Sequence, residues 1–310
     1  MNRWLIGLGV VIAALGVLFW WEVLDGAAPA RADNAFDVDA YRALIAGDRP
    51  ETLPTGVRVA IAGRSEAPAF AAEAGAFDGQ RTFAYVAFQV LAPDGGLIVD
   101  AAADEDSLAR MSGGKGRFDP QAYGQILAAI ETTPRVMVTH EHWDHVMAIA
   151  RHPHPGVIAP NLALTQLQIE GMREHAVNGQ LAPEIAGAAP LSLAGPTRIA
   201  PGIVAAPAPG HSPGSIVVFV ATANRDYLFI GDIAWQMSAI LHARGRPRFI
   251  SLLMPAVDPD RPAVLRQVRA LHDLADADPR LVILPSHDEA YLRDLIADGV
   301  LGEGIAAPAP

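Results

Sequence analysis

A seven-residue run in the middle of the chain limits its fold more than any other feature. The run is Thr139-His140-Glu141-His142-Trp143-Asp144-His145; it follows a β-branched stretch, 135–139, and leads into residues of helical composition, 144–151. On extended or turning backbone, His140 and His142 project to the same side. Asp144 and His145 follow on the first helical turn and face a second point nearby. This strand end can therefore supply ligands to two metal ions; the alternative is a solvated loop rich in His and Asp.

The absence of cysteine restricts the chemistry of such a site. Thiolate ligands, disulfides and cysteine nucleophiles are excluded, so any metal must be held by imidazoles and carboxylates. Hydrophobic residues make up 51% and charged residues 18% of the 310 residues, which is typical of a globular protein. The formal charge of −11 leaves no basic surface to neutralise phosphates, so we expect a small-molecule substrate and no nucleic acid.

The N-terminus carries an apolar stretch, residues 4–21, with Arg3 before it and Glu22 after it. Its length approaches the thickness of the hydrocarbon core, and Trp20 and Trp21 stand where an interfacial aromatic belt falls. The positive residue at the N-terminal end predicts a single-pass inner-membrane anchor with the remaining chain in the periplasm. A cleaved signal peptide is the main alternative, with small-residue cleavage sites at 28–30 and 30–32, and it would release the protein into the periplasm. A buried helix of a soluble protein is the third.

The rest of the chain divides by composition. We predict an anchor or signal segment at 1–25, a flexible linker at 26–34, one folded domain at 35–304 and a disordered tail at 305–310. Strands are predicted at 57–62, 82–91, 97–100, 135–139, 204–206, 215–221, 227–230 and 281–284, and helices at 120–131, 144–151, 162–175, 262–275 and 289–297. Residues 181–201 are predicted as loop with a short strand. Along the chain, strands come first and a mixture of strands and helices follows, and this order occurs twice. It indicates an α/β or α+β fold, with two sheets packed face to face.

Four further polar residues stand at the ends of predicted strands or in Gly/Pro turns. They are Asp100 after 96–99, His211 in Pro209-Gly210-His211-Ser212-Pro213-Gly214-Ser215, Asp232 after Phe229-Ile230-Gly231, and His287 in Pro285-Ser286-His287. Taken singly, each has an ordinary alternative. His211 and His287 are as easily structural, Asp232 a turn residue, and Asp100 a helix cap.

Together these motifs resemble the signature of the metallo-β-lactamase fold superfamily, in the order expected and across roughly residues 82–290. The resemblance implies an α+β fold, a four-layered αββα sandwich with the metals at one edge of its sheets. It implies that His140, His142 and His211 hold one metal, that Asp144, His145 and His287 hold a second, and that Asp232 lies between them. Asp100 matches the family's structural aspartate. We assign Asp144 and Asp232 to catalysis as well as to metal binding. Two divalent ions are expected, Zn²⁺ foremost, with Fe or Mn as alternatives.

The predicted reaction is hydrolysis of an ester-like or lactone-like bond in a small molecule by metal-bound hydroxide. Asp232 separates the chain from metallo-β-lactamases proper and makes it similar to the glyoxalase II, lactonase and phosphodiesterase branches. The acidic charge and the predicted export argue against the RNA-processing branch. The short C-terminus after His287 leaves no room for the helical domain of glyoxalase II. Trp235 stands where lactonases usually carry a substrate-binding tyrosine, which puts the oxyanion contact in doubt. A β-lactamase-like amidase, an iron-dependent persulfide dioxygenase and a non-catalytic metal-binding protein are the alternatives.

Residues 235–255 and 161–190 are the segments that we expect to select the substrate, since both mix apolar residues with scattered arginines. Arg244, Arg246 and Arg248 are candidates to bind a carboxylate or phosphate, but a solvated basic loop is the favoured interpretation. His152 and His154 resemble an accessory metal site, for which a solvated Pro-rich loop is again favoured. We predict no role for His175, His242 and His272.

Overall fold

The computed structural model describes residues 3–32 and 35–306. Helix α1, Arg3–Phe19, passes into a wider helical turn, Trp20–Leu24, and the two form the one helix in the described residues that is long and apolar enough to cross a membrane. None of its hydrophobic window is buried by the rest of the protein. Asp33 and Asn34 of the predicted linker and residues 307–310 of the predicted tail lie outside the described residues.

Two mixed sheets form the centre of the domain in the described residues. The first sheet has the spatial order β11 (Gly302–Glu303), β1 (Gly56–Pro68), β2 (Gln80–Leu91), β3 (Leu97–Val99), β5 (Val136–Met137), and β4 (Arg117–Phe118) also pairs with β1. The second has the order β10 (Leu281–Pro285), β9 (Asp226–Gly231), β8 (Ile216–Ala221), β7 (Ile203–Pro207), β6 (Thr197–Ala200). Neighbouring strands are antiparallel except β11 with β1, β3 with β5, and β9 with β10.

The helices cover the outer faces of both sheets. They are α2 (Val38–Ile45), α3 (Ala69–Ala72), α4 (Glu105–Met111), α5 (Pro120–Thr132), α6 (Trp143–Ala150), α7 (Pro155–Ile158), α8 (Gln166–Gly171), α9 (Pro183–Ala186), α10 (Met237–Leu241), α11 (Arg248–Leu253), α12 (Arg261–Ala277) and α13 (Glu289–Ala297). Aspartate side chains cap the N-termini of several of them: Asp37, Asp104, Asp119, Asp260 and Asp288 accept hydrogen bonds from backbone N–H groups of the first turn.

Side-chain alternation along the strands builds three apolar layers. Along β8, Ile216, Val218 and Val220 face the other sheet, while Val217 and Phe219 face α2 and α12. Phe88 of β2 and Phe229 of β9 meet between the sheets with ring centroids 5.1 Å apart. A third layer lies between the first sheet and helices α5, α6 and α8. This arrangement confirms the predicted α+β fold of two sheets between outer helices.

The predicted flexible linker is paired with the domain where it leaves the apolar helix. Ala27 forms an antiparallel bridge with Arg244, and the N–H of Ala28 donates to the carbonyl of Ala243 over 2.8 Å. Gly26 lies so close to Ala74 that a Cβ atom on it would be 2.3 Å from the Ala74 methyl carbon. Residues 26–28 are therefore part of the packed structure, and the domain boundaries predicted from composition stay predictions.

Three other segments differ from their prediction. The helix predicted at 162–175 begins only at Gln166, where Thr165 caps it, and it passes into a 3-10 turn at Met172–His175. Gly171 at the junction packs directly on Glu141. A Cβ atom at Gly171 would lie 2.3 Å from Cγ of Glu141. The 181–201 stretch contains the short helix α9 as well as strand β6. At the predicted tail, the N–H of Ala306 donates to the side chain of Gln89 over 2.8 Å, so the chain is held by the domain to this point.

Candidate metal centre

All seven predicted ligands lie at one edge of the two sheets, which we call the metal edge; strand ends, one loop and the start of α6 carry them. His140 follows β5, Asp232 follows β9 and His287 follows β10, while His211 lies in the loop between β7 and β8. Because β9 and β10 are parallel, their C-terminal ends reach the same edge. His142 is the residue before the first turn of α6, and Asp144 and His145 are in that turn.

The ligand atoms fall into two groups. The first contains His140, His142 and His211, and the second contains Asp144, His145, Asp232 and His287; within each group the candidate ligand atoms lie within 4.8 Å of one another. In the first group, Nε2 of His211 is 3.0 Å from Nδ1 of His142. In the second, Nε2 of His287 is 3.3 Å from Nε2 of His145 and 3.2 Å from a carboxylate oxygen of Asp144.

Asp232 lies between the two groups with one carboxylate oxygen on each side. Its Oδ2 is 3.5 Å from Nε2 of His211 and 3.9 Å from Nε2 of His140. Its Oδ1 is 3.0 Å from Nε2 of His287 and 3.2 Å from Nε2 of His145. A carboxylate in this position can bind one ion through each oxygen.

The donor set fits divalent metal ions. Nε2 of His140 and Oδ1 of Asp232 are buried atoms without a hydrogen-bond partner among the described residues. Burial lowers the pKa of His140 well below its ordinary value and lowers that of His142 to about 3, so both rings are neutral, which is the form that binds metal. Five imidazoles and two carboxylates match the preference of Zn²⁺ for nitrogen and oxygen ligands of these kinds.

Negative charge is in excess in the second group. Burial opposes the charged form of His287, but Asp232 and Asp144 outweigh it and raise the pKa of this histidine to about 10. Burial also opposes the charged form of His145, and Asp100 and Asp232 raise its pKa well above the ordinary value. These carboxylates therefore favour a positive charge in the second group, and a bound divalent ion can supply that charge.

Hydrogen bonds to the second ring nitrogen fix the orientation of His145 and His287, as is usual around metal-binding histidines. Nδ1 of His145 is 3.0 Å from Oδ2 of Asp100, and Nδ1 of His287 donates to the carbonyl of Ala84 over 2.7 Å. Asp100 is fully buried with φ +64° and accepts from the N–H and hydroxyl of Thr139. It therefore holds the metal edge together and does not cap a helix; the cap of α4 is Asp104.

His211 is oriented by a buried ion pair that the sequence interpretation did not identify. Its Nδ1 donates to Oδ1 of Asp258 over 2.9 Å, and the guanidinium of Arg246 forms two hydrogen bonds with the same carboxylate. Arg246 also lies over the ring of Trp235, 4.6 Å from its centroid. The interpretation of Arg246 as part of a solvated basic loop was therefore wrong.

Glu141, between two of the ligands, anchors the loop that carries His211. Its carboxylate accepts from the hydroxyl of Ser212 over 2.9 Å and from the N–H of Gly214 over 3.1 Å. A Cβ atom on Gly214 would lie 2.3 Å from the Glu141 carboxylate, so only glycine allows this contact. The Gly-rich loop is thereby locked to the strand end that carries His140 and His142.

Comparison with known proteins matches residues 80–287 to the metallo-beta-lactamase superfamily. The matched region spans the complete set of motifs, from β2 to the last histidine. The chain belongs to the metallo-beta-lactamase superfamily. A search of curated proteins finds no match.

Solved structures of the same fold agree with this assignment. A quorum-quenching N-acyl homoserine lactone lactonase matches with a TM-score of 0.57 and 15% identity, covering 83% of this chain and 100% of that one. An N-acyl homoserine lactone hydrolase with N-hexanoyl-L-homoserine at its catalytic metal centre has a TM-score of 0.55 and 15% identity, covering 78% and 96%. A probable metal-dependent hydrolase from Staphylococcus aureus matches with a TM-score of 0.55 and 16% identity, covering 76% of this chain and 89% of that one. At these identities the similarity establishes the fold alone.

A cleft of about 450 Å³ opens beside the metal edge of this superfamily member. Its walls are mostly apolar, and His142, Asp144, Asp232 and His287 lie at its base. The apolar lining is Ala67, Ala71, Phe83, Tyr85, Met111, Trp143, Trp235, Ile250, Met254, Ala256 and Val257, and the other polar lining is Ser65, Glu66, Ser112, Lys115, Glu174 and His175. Trp235, Ile250 and Met254 come from the predicted substrate-selecting stretch 235–255. The strand residues Phe83 and Tyr85, the end of β1 and helix α3 were not predicted to take part.

Trp235 does not offer a free donor to the cleft. Its indole N–H donates to Oδ2 of Asp232 over 2.6 Å, and its ring packs edge-on against Phe83. The residue is therefore a support for Asp232 and an apolar wall, and it does not replace the lactonase tyrosine as a contact to the substrate carbonyl.

The other histidines lie away from the metal edge, apart from His175, which lines the cleft although no role was predicted for it. Glu131, His152 and His154 form a third close group. In this group Nδ1 of His152 accepts from the N–H of His154 over 3.1 Å, and Nε2 is 3.3 Å from the carbonyl of Leu127. Both nitrogens of His152 therefore already have partners. His242 contacts Glu73, and His272 contacts the carbonyl of Ile240.

Replacing Gly231 by alanine should destabilise the protein more than the same change at a glycine with open surroundings. Gly231 has φ +51°, and a Cβ atom on it would lie 2.5 Å from Oγ1 of Thr139. The unfavourable backbone and the clash together predict a loss of about 3 kcal/mol in unfolding free energy, measured by denaturant titration. Gly299→Ala is the matched control, because it has φ +68° and an open surrounding, and it should cost only about 1 kcal/mol. Equal losses in the two variants would show that the contact with Thr139 is unimportant.

Proposed function

We propose that this metallo-hydrolase binds two Zn²⁺ ions through His140, His142, Asp144, His145, His211, Asp232 and His287, and that it cleaves an ester-like or lactone-like bond in a small molecule. The position of Asp232 carries the proposal. One of its oxygens faces the three-histidine group and the other faces the histidines of the second group. A single carboxylate shared in this way is the expected bridge of a two-ion site.

Bound divalent ions would supply a water of lowered pKa and a polarising contact to a substrate oxygen. The protein's own residues do the rest. Asp232 and Asp144 supply the negative charge that holds cations at the base of the cleft, and Asp100 and Asp258 hold two of the histidine rings in place. The apolar wall of Phe83, Trp235 and Ile250 excludes water from one side of the site and receives an apolar part of the substrate.

The substrate class rests on two supports. Two of the solved structures that the chain resembles are named as enzymes that hydrolyse N-acyl homoserine lactones, and the match covers 100% and 96% of their chains. The cleft also combines a polar base with mostly apolar walls, as a lactone or ester with an apolar substituent requires.

The test is a substrate screen on the purified full-length protein loaded with Zn²⁺. A set of short-chain and long-chain N-acyl homoserine lactones, an aryl ester, a thioester, a phosphodiester and nitrocefin should show turnover of the lactones or the ester, abolished by a chelator and restored by Zn²⁺. Turnover confined to nitrocefin would make the protein an amidase and overturn the proposal. Turnover of none of the carboxylic esters, in a protein containing its metal, would overturn it as well.

For the N-terminal segment we propose an uncleaved membrane anchor, with the catalytic domain on the periplasmic side. Asp25 and residues 26–28 are packed on the domain, and cleavage after Ala30 or Ala32 would remove them from the folded unit. The support is this packing together with the single apolar helix Arg3–Leu24.

A further inference from the structure

Helix α11, Arg248–Leu253, is apolar on two opposite sides. Ile250 is 7% exposed and packs with Phe83, Trp235 and Val257 in the wall of the cleft. Leu252 and Leu253 on the outer side are 75% and 71% exposed. Residues 252–256, Leu-Leu-Met-Pro-Ala, contain no charged side chain. A helix in water normally places polar residues on its outer side, so these leucines call for an explanation.

The first residue of α11 lies against the end of the apolar N-terminal helix. The guanidinium of Arg248 donates to the carboxylate of Asp25 over 2.6 Å, and it lies over the ring of Trp21, 3.8 Å from the centroid. Leu252 and Leu253 follow Arg248 within about 8 Å along the helix axis, at 1.5 Å per residue. The exposed leucines are therefore close to the place where a membrane-spanning helix ends.

Further contacts fix the direction of the N-terminal helix relative to α11. Arg261 donates to the backbone carbonyl of Asp25 over 2.7 Å, and Arg244 donates to that of Leu24 over 2.8 Å. The bridge between Ala27 and Arg244 adds backbone pairing to these side-chain contacts. Because several contacts in different directions hold the junction, the domain does not turn freely about it, and the same face remains beside the anchor.

We propose that Leu252 and Leu253 insert into the surface of the bilayer that holds the N-terminal helix. Trp20 and Trp21, about half exposed, mark the interfacial level at the end of that helix, and the two leucines continue the apolar surface sideways from it. The bilayer is the occupant favoured by this continuity. Combined with the proposed hydrolase function, the arrangement puts Ile250 and Met254 of the cleft wall within one helix width of the lipid.

The absence of natural cysteine allows a direct test on the full-length chain. Leu252→Cys is labelled with an environment-sensitive nitrobenzoxadiazole fluorophore, and the protein is reconstituted in phosphatidylcholine and phosphatidylglycerol vesicles. Ala223→Cys is the matched control, because Ala223 is exposed in the turn between β8 and β9, at the opposite end of β9 from Asp232. We expect a blue-shifted emission at position 252, and quenching by spin-labelled lipid at least about threefold stronger than at position 223.

Equal quenching at the two positions would overturn the proposal. Quenching at position 252 that depends on protein density in the vesicles, and not on spin-labelled lipid, would also overturn it, because it indicates a contact between two copies of the chain. An intact mass of the membrane-extracted protein that lacks residues up to Ala30 or Ala32 would overturn it too. Leu253→Cys repeats the measurement one residue along the helix. These readouts involve neither metal nor substrate, so they are independent of whether the proposed hydrolase activity is found.

Discussion

Replacing Asp232 by alanine should remove metal and activity together. Its two oxygens face different histidine groups, so neither group keeps its full set of ligands when this carboxylate is lost. We expect kcat/KM for the best substrate to fall by about 10³-fold, which corresponds to the several kcal/mol that ions contribute to a hydrolytic transition state. Metal content, measured by plasma emission spectrometry after gel filtration, should fall from two ions per chain to one or fewer.

The control for this variant lies on the same strand. Asp226 begins β9, is as deeply buried as Asp232 and pairs with Arg42 at the end remote from the metal edge. Asp226→Ala should lower the unfolding free energy while leaving the metal content at two. Asp232→Asn keeps the size of the side chain, so a loss of metal in this variant is not caused by a folding defect. Full metal content in both Asp232 variants would contradict the bridging role.

The sequence predicted that these side chains meet at one edge of the sheets, because residues at strand ends have a readable context. His140, Asp232 and His287 each follow a short β-branched or apolar run, and runs of this kind become buried strands whose ends meet at the edge of a sheet. The strand predictions erred mainly at their ends. Strand β1, for example, continues to Pro68, past the predicted end at 62, because β2 pairs with it along its whole length.

The supporting residues were not predictable in the same way. Asp258 and Arg246 are separated from His211 by 47 and 35 positions, and no periodicity links them. A charged side chain in a loop with other arginines ordinarily points to solvent, and only the folded structure shows that this one is buried against a carboxylate. The packing of the predicted linker was also not predictable from composition. Small residues and proline indicate flexibility, but at Gly26 the small size allows close packing on Ala74.

Replacing Arg246 by methionine should destabilise the protein severely and weaken metal binding at the three-histidine group. Arg246 and Asp258 are 2% and 3% exposed, so the variant leaves a buried carboxylate without its counter-charge. Breaking a buried pair in this way costs about 3–5 kcal/mol in unfolding free energy. Asp258 also orients His211, and loss of such support lowers metal affinity by about 10- to 100-fold. Denaturant titration and competition with a zinc chelator measure the two effects.

A surface ion pair and a double variant separate charge from packing. Arg135 pairs with Asp94 over 2.9 Å with both side chains about one-third exposed, so Arg135→Met should cost less than about 1 kcal/mol.

Adding Asp258→Asn to Arg246→Met removes the unpaired charge and keeps an oxygen that accepts from His211. Asparagine also tolerates the φ of +55° at this position. The double variant should therefore be more stable than Arg246→Met alone, by about 1–3 kcal/mol. If it is no more stable, the loss in the single variant comes from missing packing against Trp235 and not from the buried charge, and Arg246 supports the wall of the cleft more than the histidine.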